Sequence, residues 1–476
     1  MDQRTTKRLG IIIGTIFIVV LIPFLISLLF GDKFKAPKRD INITMWNLFD
    51  DGDLYKGVIE EFEARDPRVS ISYTKKKDIN ELETDLVNEL AEGKGPDIVA
   101  ISPSWVKKHG AKFSFEPKGF EFSDPKVFKD TFAPFTADDL IVTDDKGSLA
   151  VIAIPTSVET LGVIYNKSYF LQNLSSAKPS DTWDTFVEDV MKGTKRNSKN
   201  TLIRKTPIAL GRVDNIRRGT DIINLLMLQN GVNFYDPTGR IVTIDSPALS
   251  SGQKTYPGIN SLDYYSSFGK SGEETYVWSL DQTKQYEKDD ELGAFVRGEI
   301  GMIFGYPYLL KDIERLITQY TDDGVATISL EDVGVAEVPQ LTKDTKLKST
   351  LALYYPLAVP NLSKNKDKAW AFIEFMASEE VQRYLFKQNK KISSRINLIS
   401  EQSKDETVGA FASSVGYAKS LFIPDETALK TVYNEVLTAM QSNKMDSTDG
   451  ITKVKDVWQC SLKKIVPTAL DSDSGC

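Results

Sequence analysis

One histidine and two cysteines are all that the 476-residue sequence offers of the residues most used for metal binding and nucleophilic chemistry. The histidine, His109, sits in "WVKKHGAK" and reads as a solvated surface residue, so a His-dependent triad or a His-rich zinc site lacks parts. No GxSxG, HExxH or GxxxxGK[ST] run is present, which removes the common hydrolase, zincin and phosphate-loop signatures. A carboxylate-pair glycoside hydrolase stays open as an alternative, because it needs only two acidic side chains. An excess of basic charge is also missing: the formal charge is −7, and beyond residue 40 there are 52 Lys and Arg against 63 Asp and Glu, or −11. Such a surface disfavours nucleic acid as a partner. The two cysteines, Cys460 and Cys476, form a candidate disulfide closing a loop of about 15 residues; two unpaired thiols on a frayed terminus fit the spacing equally well. No internal repeat or low-complexity segment appears.

What is there begins with an uncharged apolar run at 9–30, long enough at about 1.5 Å per helical residue to cross a bilayer core. Arg4, Lys7 and Arg8 precede it, which places residues 1–8 in the cytoplasm. The run exceeds a usual signal-peptide core and lacks a small-residue cleavage pair. An uncleaved anchor is therefore expected, followed by a stalk at 31–40, with cleavage as the competing reading. The remaining chain exceeds one comfortable core, so two lobes are the default.

Periodicity then sets out an α/β order. "INITMW" and "RVSISYTKK" alternate as strands, and Leu54, Val58, Ile59 and Phe62 fall at helical spacing between them. Asp78 and Glu81 make a capping-box pattern for a helix that ends before Gly93, and "PDIVAIS" follows as a strand. Strand, helix, strand, helix, strand implies a parallel sheet with crossover helices. Further on, "PSDTWDTFVEDVMKGTKR" reads as a capped helix, "KTPIALG" as a short strand, "DIINLLMLQNG" as a helix and "VGVAEVPQL" as a strand.

Four blocks in sequence order, "GPDIVAIS" (95–102), "IPTSVETLGVIYNKSYF" (154–170), "FVRGEIGMIFGYPYLL" (295–310) and "LAVPNLSKNKDKAWAFIEFMASEEVQRY" (357–384), together with "TWDTF" (182–186), resemble the extracellular solute-binding proteins of ABC importers, in their maltose-binding-like branch. The resemblance implies a two-lobed α/β, type II periplasmic-binding-protein-like fold with hinge crossings, behind an N-terminal transmembrane helix. The first lobe would hold 41–157 plus 357–395 and the second 158–356 plus 396–470, with a tail at 471–476. It also answers what "AIPTSVETLGVIYNKSYF" is: a crossing between lobes in place of a surface hairpin. A receptor of this kind works without a cofactor or metal, as a monomer. It captures a small solute and hands it to membrane permease subunits with a cytoplasmic ATPase.

Open α/β sheets bind ligands where loops leave the carboxyl ends of strands. Those positions supply Trp46, Asn47, Asp50, Ser104 and Trp105 from one lobe and Asp214, Tyr306 and Tyr308 from the other. Ser157 and Glu159 lie on the first crossing and Arg395 near the third. The resemblance gives Glu159 the role of a sugar-binding carboxylate and Tyr308 that of a stacking aromatic. Aromatic faces cover the C–H patches of a sugar while carboxylates and amides bond its hydroxyls, so a carbohydrate is the expected solute. "AISPSW" offers serines and an indole where a sugar-binding Asp-Arg pair can occur, which leaves the particular sugar undetermined and peptides, polyamines and other solutes open.

Overall fold

The computed structural model describes residues 39–174, 176–199, 201–250, 252–279, 290–466 and 476. The apolar run at 9–30 lies outside them, and no helix among the described residues is long and apolar enough to cross a membrane.

The first lobe is built on the strand Ile41–Leu48, whose alternating Ile43 and Met45 are fully buried. It pairs in parallel with Val69–Lys76 on one side and Ile98–Ala100 on the other. Helices Gly52–Arg65 and Ile79–Ala91 make the crossovers. Asp78 caps the second by accepting from the amides of Asn80 and Glu81, and Gly93 follows it at φ 73°, the left-handed position that a side chain disfavours. The all-parallel expectation fails at the far side. Leu357–Pro360, arriving from late in the chain, runs antiparallel to Ile98–Ala100 and brings Phe113–Ser114 in as the edge. A strand entering from the other lobe arrives without a crossover helix and need not keep the parallel sense.

In the second lobe Gly162–Asn166, buried at every position, is the centre of a three-stranded antiparallel sheet between Met302–Gly305 and Val333–Glu337. Helices Gly219–Gln229, Pro257–Ser267, Glu426–Gln441 and Ser447–Ile465 pack together beside it. The strand expected at "KTPIALG" is not formed; Ile208 makes a lone bridge to Met302. Pro207 has no N–H for a ladder, and its carbonyl takes the amides of Gly301 and Met302 instead. The structure joins Cys460 to Cys476, Cα atoms 5.4 Å apart.

Between the lobes the chain passes back and forth. Ile154 pairs with Leu357 on the first-lobe side, Glu159 pairs with Leu353, and the chain then enters Gly162–Asn166. Residues 153–170 are thus a crossing and not a hairpin. A third segment lies against it: the Val158 amide donates to Ile392 O at 3.0 Å and Ser394 Oγ to Pro155 O at 2.6 Å. Helix Ile396–Gln402 follows this segment, tied back to it by the Ser393 amide on Gln402 Oε1 at 2.8 Å and to helix Glu379–Asn389 by Arg383 on Glu401, and it packs on both Pro125–Thr131 and Gly409–Ser414.

Candidate functional site

The first strand ends in a tight backbone turn. Asn47 is buried, its side chain accepting from the Leu48 amide at 2.8 Å, and the Asp50 amide donates back to Leu48 O at 2.7 Å. Phe49, between them, is left-handed at φ 63°. The turn fixes Asp50, whose carboxylate accepts from Tyr55 Oη at 2.9 Å and pairs with Lys391 Nζ at 2.7 Å; its carbonyl accepts from Tyr73 Oη. Lys391 and Asp50 are 20% and 14% exposed. Burial alone would lower the Lys391 ammonium, but Asp50 and Glu159 more than offset it and hold the group above the ordinary lysine value.

Glu159 stands on the crossing itself. Burial raises its carboxyl to about 7, with Lys391 pulling it down and Asp50 pushing it up. The folded protein keeps this proton through a range in which an unfolded glutamate, near 4.5, has lost it. The stability it contributes is therefore present below about 4.5 and is lost as pH rises towards 7. Glu159→Gln is expected to make the pH dependence of the urea midpoint between pH 5 and 7 shallower by up to one proton. An unchanged slope would assign that proton elsewhere.

From the second lobe comes an aromatic and charged wall. Met302–Gly305 delivers Tyr306 and Tyr308, stacked at 6.4 Å between centroids and 17° between planes. The Arg218 guanidinium lies over both rings at 5.0 and 5.3 Å, donates to Tyr308 Oη, and pairs with Asp221 at 3.3 Å. Arg218 precedes helix Gly219–Gln229 and Asp221 is in its first turn, which explains why they meet. Glu426 opens helix Glu426–Gln441 nearby, its carboxyl raised by burial and by Asp221. Glu159, Asp221, Arg218 and Glu426 all act on the Tyr306 and Tyr355 hydroxyls. Among the described residues, the side chains of Glu159 and Glu426 make no hydrogen bond or ion pair.

The structure thus brings together Asn47, Asp50, Glu159, Tyr306 and Tyr308, with Ser157 half-buried two residues from Glu159. Other expected residues are placed elsewhere. The Trp46 ring is covered by Lys76 Nζ at 4.0 Å, itself tied to Asp85 of the Ile79–Ala91 helix. Trp105 is 4% exposed and meets His109 edge-on. His109 is not a solvated residue: its side chain is 10% exposed and its Nε2 lies 2.6 Å from Glu83 Oε1, because the short helix Ser104–His109 turns that face inward. Asp214 is engaged by Arg212, which also reaches Gln441 at 3.2 Å. Arg395 donates to Ala377 O at 3.0 Å and covers Phe122, pinning its own lobe. Ser104 lines a separate cavity of about 110 Å³ with Lys107, Asp139 and the Ser420–Phe422 segment. Sequence reasoning missed Phe49, Arg218, Asp221, Tyr355, Lys391 and Glu426. Lys391 and Tyr355 lay within reach, being on crossings already recognised; Glu426 had no local signal.

Residues 47–383 match the model of a family described as bacterial extracellular solute-binding protein. Among solved structures, the sugar-binding protein MalE from Xanthomonas citri aligns with a TM-score of 0.68 at 15% identity, over 89% of this chain and 98% of that one. A cyclo/maltodextrin-binding protein complexed with maltotetraose aligns at 0.65 and 16%, over 91% and 99%. The GacH receptor of Streptomyces glaucescens, solved unliganded and with acarbose, aligns at 0.64 and 18%, over 89% and 98%. At these identities the likeness is one of fold.

Proposed function

The chain belongs to the bacterial extracellular solute-binding proteins, and on that premise we propose that it captures a carbohydrate in the cleft between its lobes and delivers it to an ABC importer. It acts as a binder and not an enzyme, as a monomer, held to the outer face of the membrane by residues 9–30. Permease subunits and their cytoplasmic ATPase supply pore and energy.

One observation carries the choice of solute. The side chains of Glu159 and Glu426, without hydrogen-bond or ion-pair partners among the described residues, lie close enough to Tyr306 and Tyr355 to act on their hydroxyls, and Tyr306 stacks on Tyr308. Unmatched acceptors beside aromatic faces suit a molecule that is hydroxylated on its rim and apolar on its ring faces. The fold relatives supporting this reading are described as binding maltotetraose and acarbose. Closure needs contacts made only when both lobes touch the ligand, and the wall and Asp50 come from opposite lobes. A second reading has its own support: four carboxylates, Asp50, Glu159, Asp221 and Glu426, meet two cations, Arg218 and Lys391, a surplus that suits a polyamine.

Thermal-shift measurement on the full chain separates the two. A bound solute at a hundredfold excess over its Kd adds about 2.7 kcal/mol to stability. Maltose, maltotriose, maltotetraose or tagatose raising Tm supports the carbohydrate reading; spermidine alone raising it replaces that reading. Tyr308→Ala is expected to weaken the active sugar about tenfold, by removing a stacking face, with Tm of the free protein nearly kept, since Tyr308 is half-buried. Wild-type affinity by calorimetry would remove Tyr308 from the site.

A further inference from the structure

The chain enters the first lobe at one end of its sheet. Strands Ile41–Leu48, Val69–Lys76 and Ile98–Ala100 run in parallel away from that end, and Leu357–Pro360 runs towards it. The Asp40 and Ile41 amides both donate to Arg68 O at 3.1 Å. The loop after Leu357–Pro360 folds onto the same end. Asn365 Nδ2 donates to Asn42 O at 3.1 Å, Ser363 Oγ to Asp97 Oδ1 at 2.6 Å, and the Asn361 amide to Lys112 O at 2.7 Å. The turn that fixes Asp50 lies at the other end of the first strand, about 23 Å away at 3.3 Å per residue.

Charge at this end is unevenly matched. Asp97 is taken by Thr44, Ser363 and Asn365, Asp66 by Lys368, Glu63 by Arg39 and Glu92 by Lys94. Lys112, Lys364 and Lys366 make no ion pair among the described residues, against the exposed Asp40 and Asp367. Leu362 stands beside these lysines, 51% exposed. The sequence leading in adds Lys33, Lys35, Lys38 and Arg39 against Asp32, whereas the chain beyond residue 40 totals −11.

We propose that this end of the first lobe is a lipid-facing surface, on which Lys112, Lys364, Lys366 and Leu362 rest against anionic phospholipid headgroups. The inference rests on the reading of residues 9–30 as an anchor. Residues 31–40 separate that run from the first strand and reach at most about 35 Å. A tether that short holds the lobe over the bilayer at millimolar effective concentration, so a contact too weak to form from solution forms here. Lysines gain from an anionic surface only within a Debye length, about 8 Å at physiological salt, and the loop at 361–366 is on the end that the tether keeps nearest. A leucine flanked by lysines suits that interface: the apolar side chain passes the headgroups while the ammonium groups stay among the phosphates. Tether and Asp50 turn occupy opposite ends of one strand. In this posture the cleft faces the medium while the receptor waits for solute.

The test uses the full chain in lipid nanodiscs. Cys460 and Cys476 are joined and the sequence has no other cysteine, so Leu362→Cys supplies one thiol for an environment-sensitive dye. Leu249→Cys, at a second-lobe position 81% exposed, is the reference. The dye at 362 is expected to shift to the blue in discs containing phosphatidylglycerol and not in phosphatidylcholine alone, and to return in about 0.5 M salt. The dye at 249 stays unshifted. Lys364→Glu with Lys366→Glu is expected to lose most of the shift while Tm is kept, since neither lysine makes an ion pair and Lys366 opens helix Lys366–Ala377, where an acid is favourable. Equal emission at 362 in both lipids would overturn the surface while leaving the anchor standing, as would an equal shift at 249. A shift caused by added polyglutamate but not by phosphatidylglycerol would give the face to an acidic polymer instead. Failure of the full chain to enter the discs would remove the anchor reading and the surface with it.

Discussion

Lys391→Met is expected to lower the unfolding free energy by about 3 kcal/mol, the largest single effect on stability that the site offers. The ammonium is mostly buried and answers Asp50 at 2.7 Å, with Glu159 beside it. Methionine fills similar volume but leaves Asp50 with only the Tyr55 hydroxyl as a side-chain donor. An uncompensated carboxylate in a poorly solvated place costs several kcal/mol, far more than an exposed ion pair is worth. Lys391 follows the helix Glu379–Asn389 on the third waist segment, and Asp50 follows the first strand. The pair therefore ties the third waist segment to the turn after the first strand. Urea unfolding measures the loss. The double variant Asp50→Asn, Lys391→Met should recover part of it, since both charges are then gone. A loss below about 1 kcal/mol, or no recovery in the double variant, would mean that water already satisfies Asp50.

Glu159→Ala is expected to weaken sugar binding about a hundredfold. Leaving a ligand hydroxyl without its buried partner costs about 1–3 kcal/mol, and the Glu159 side chain makes no other hydrogen bond among the described residues. Its burial, which lifts the carboxyl to about 7, makes the bond count for more than on an open surface. The fold should tolerate the change. Lys391 keeps Asp50, and the backbone pairing of Glu159 with Leu353 does not involve the side chain. Isothermal titration with the sugar that shifts Tm most gives the ratio. Full affinity in Glu159→Ala, with an unchanged melting curve, would mean that the solute sits away from the crossing.

Much of the fold was legible because local patterns survive packing. The strands at 41–48 and 69–76, the helices at 52–65 and 79–91, and the crossing at 154–166 follow from periodicity, a capping residue and a family pattern. "KTPIALG" misled because its apolar content reads as a strand, whereas Pro207 cannot join a ladder. Trp105 misled for a related reason. A residue after a strand is near the sheet's carboxyl end, but the helix that starts there decides which way it turns, and Ser104–His109 turns the indole inward. Arg395 lies beside the right crossing but faces its own lobe.

By itself the sequence determined that the chain is a binder's scaffold of two α/β halves joined by crossings, with acids and tyrosines at the strand ends. Periodicity and turn chemistry are properties of neighbours in the chain, and those are written in the order of residues. Only the tertiary structure decided which charges meet. Lys391 finds Asp50 across more than three hundred residues, Glu426 and Arg218 converge on Tyr306 and Tyr355, and Phe49 is turned out by a backbone angle that no composition reveals. Long-range partners are set by how two lobes close on each other, and that geometry depends on packing throughout the molecule.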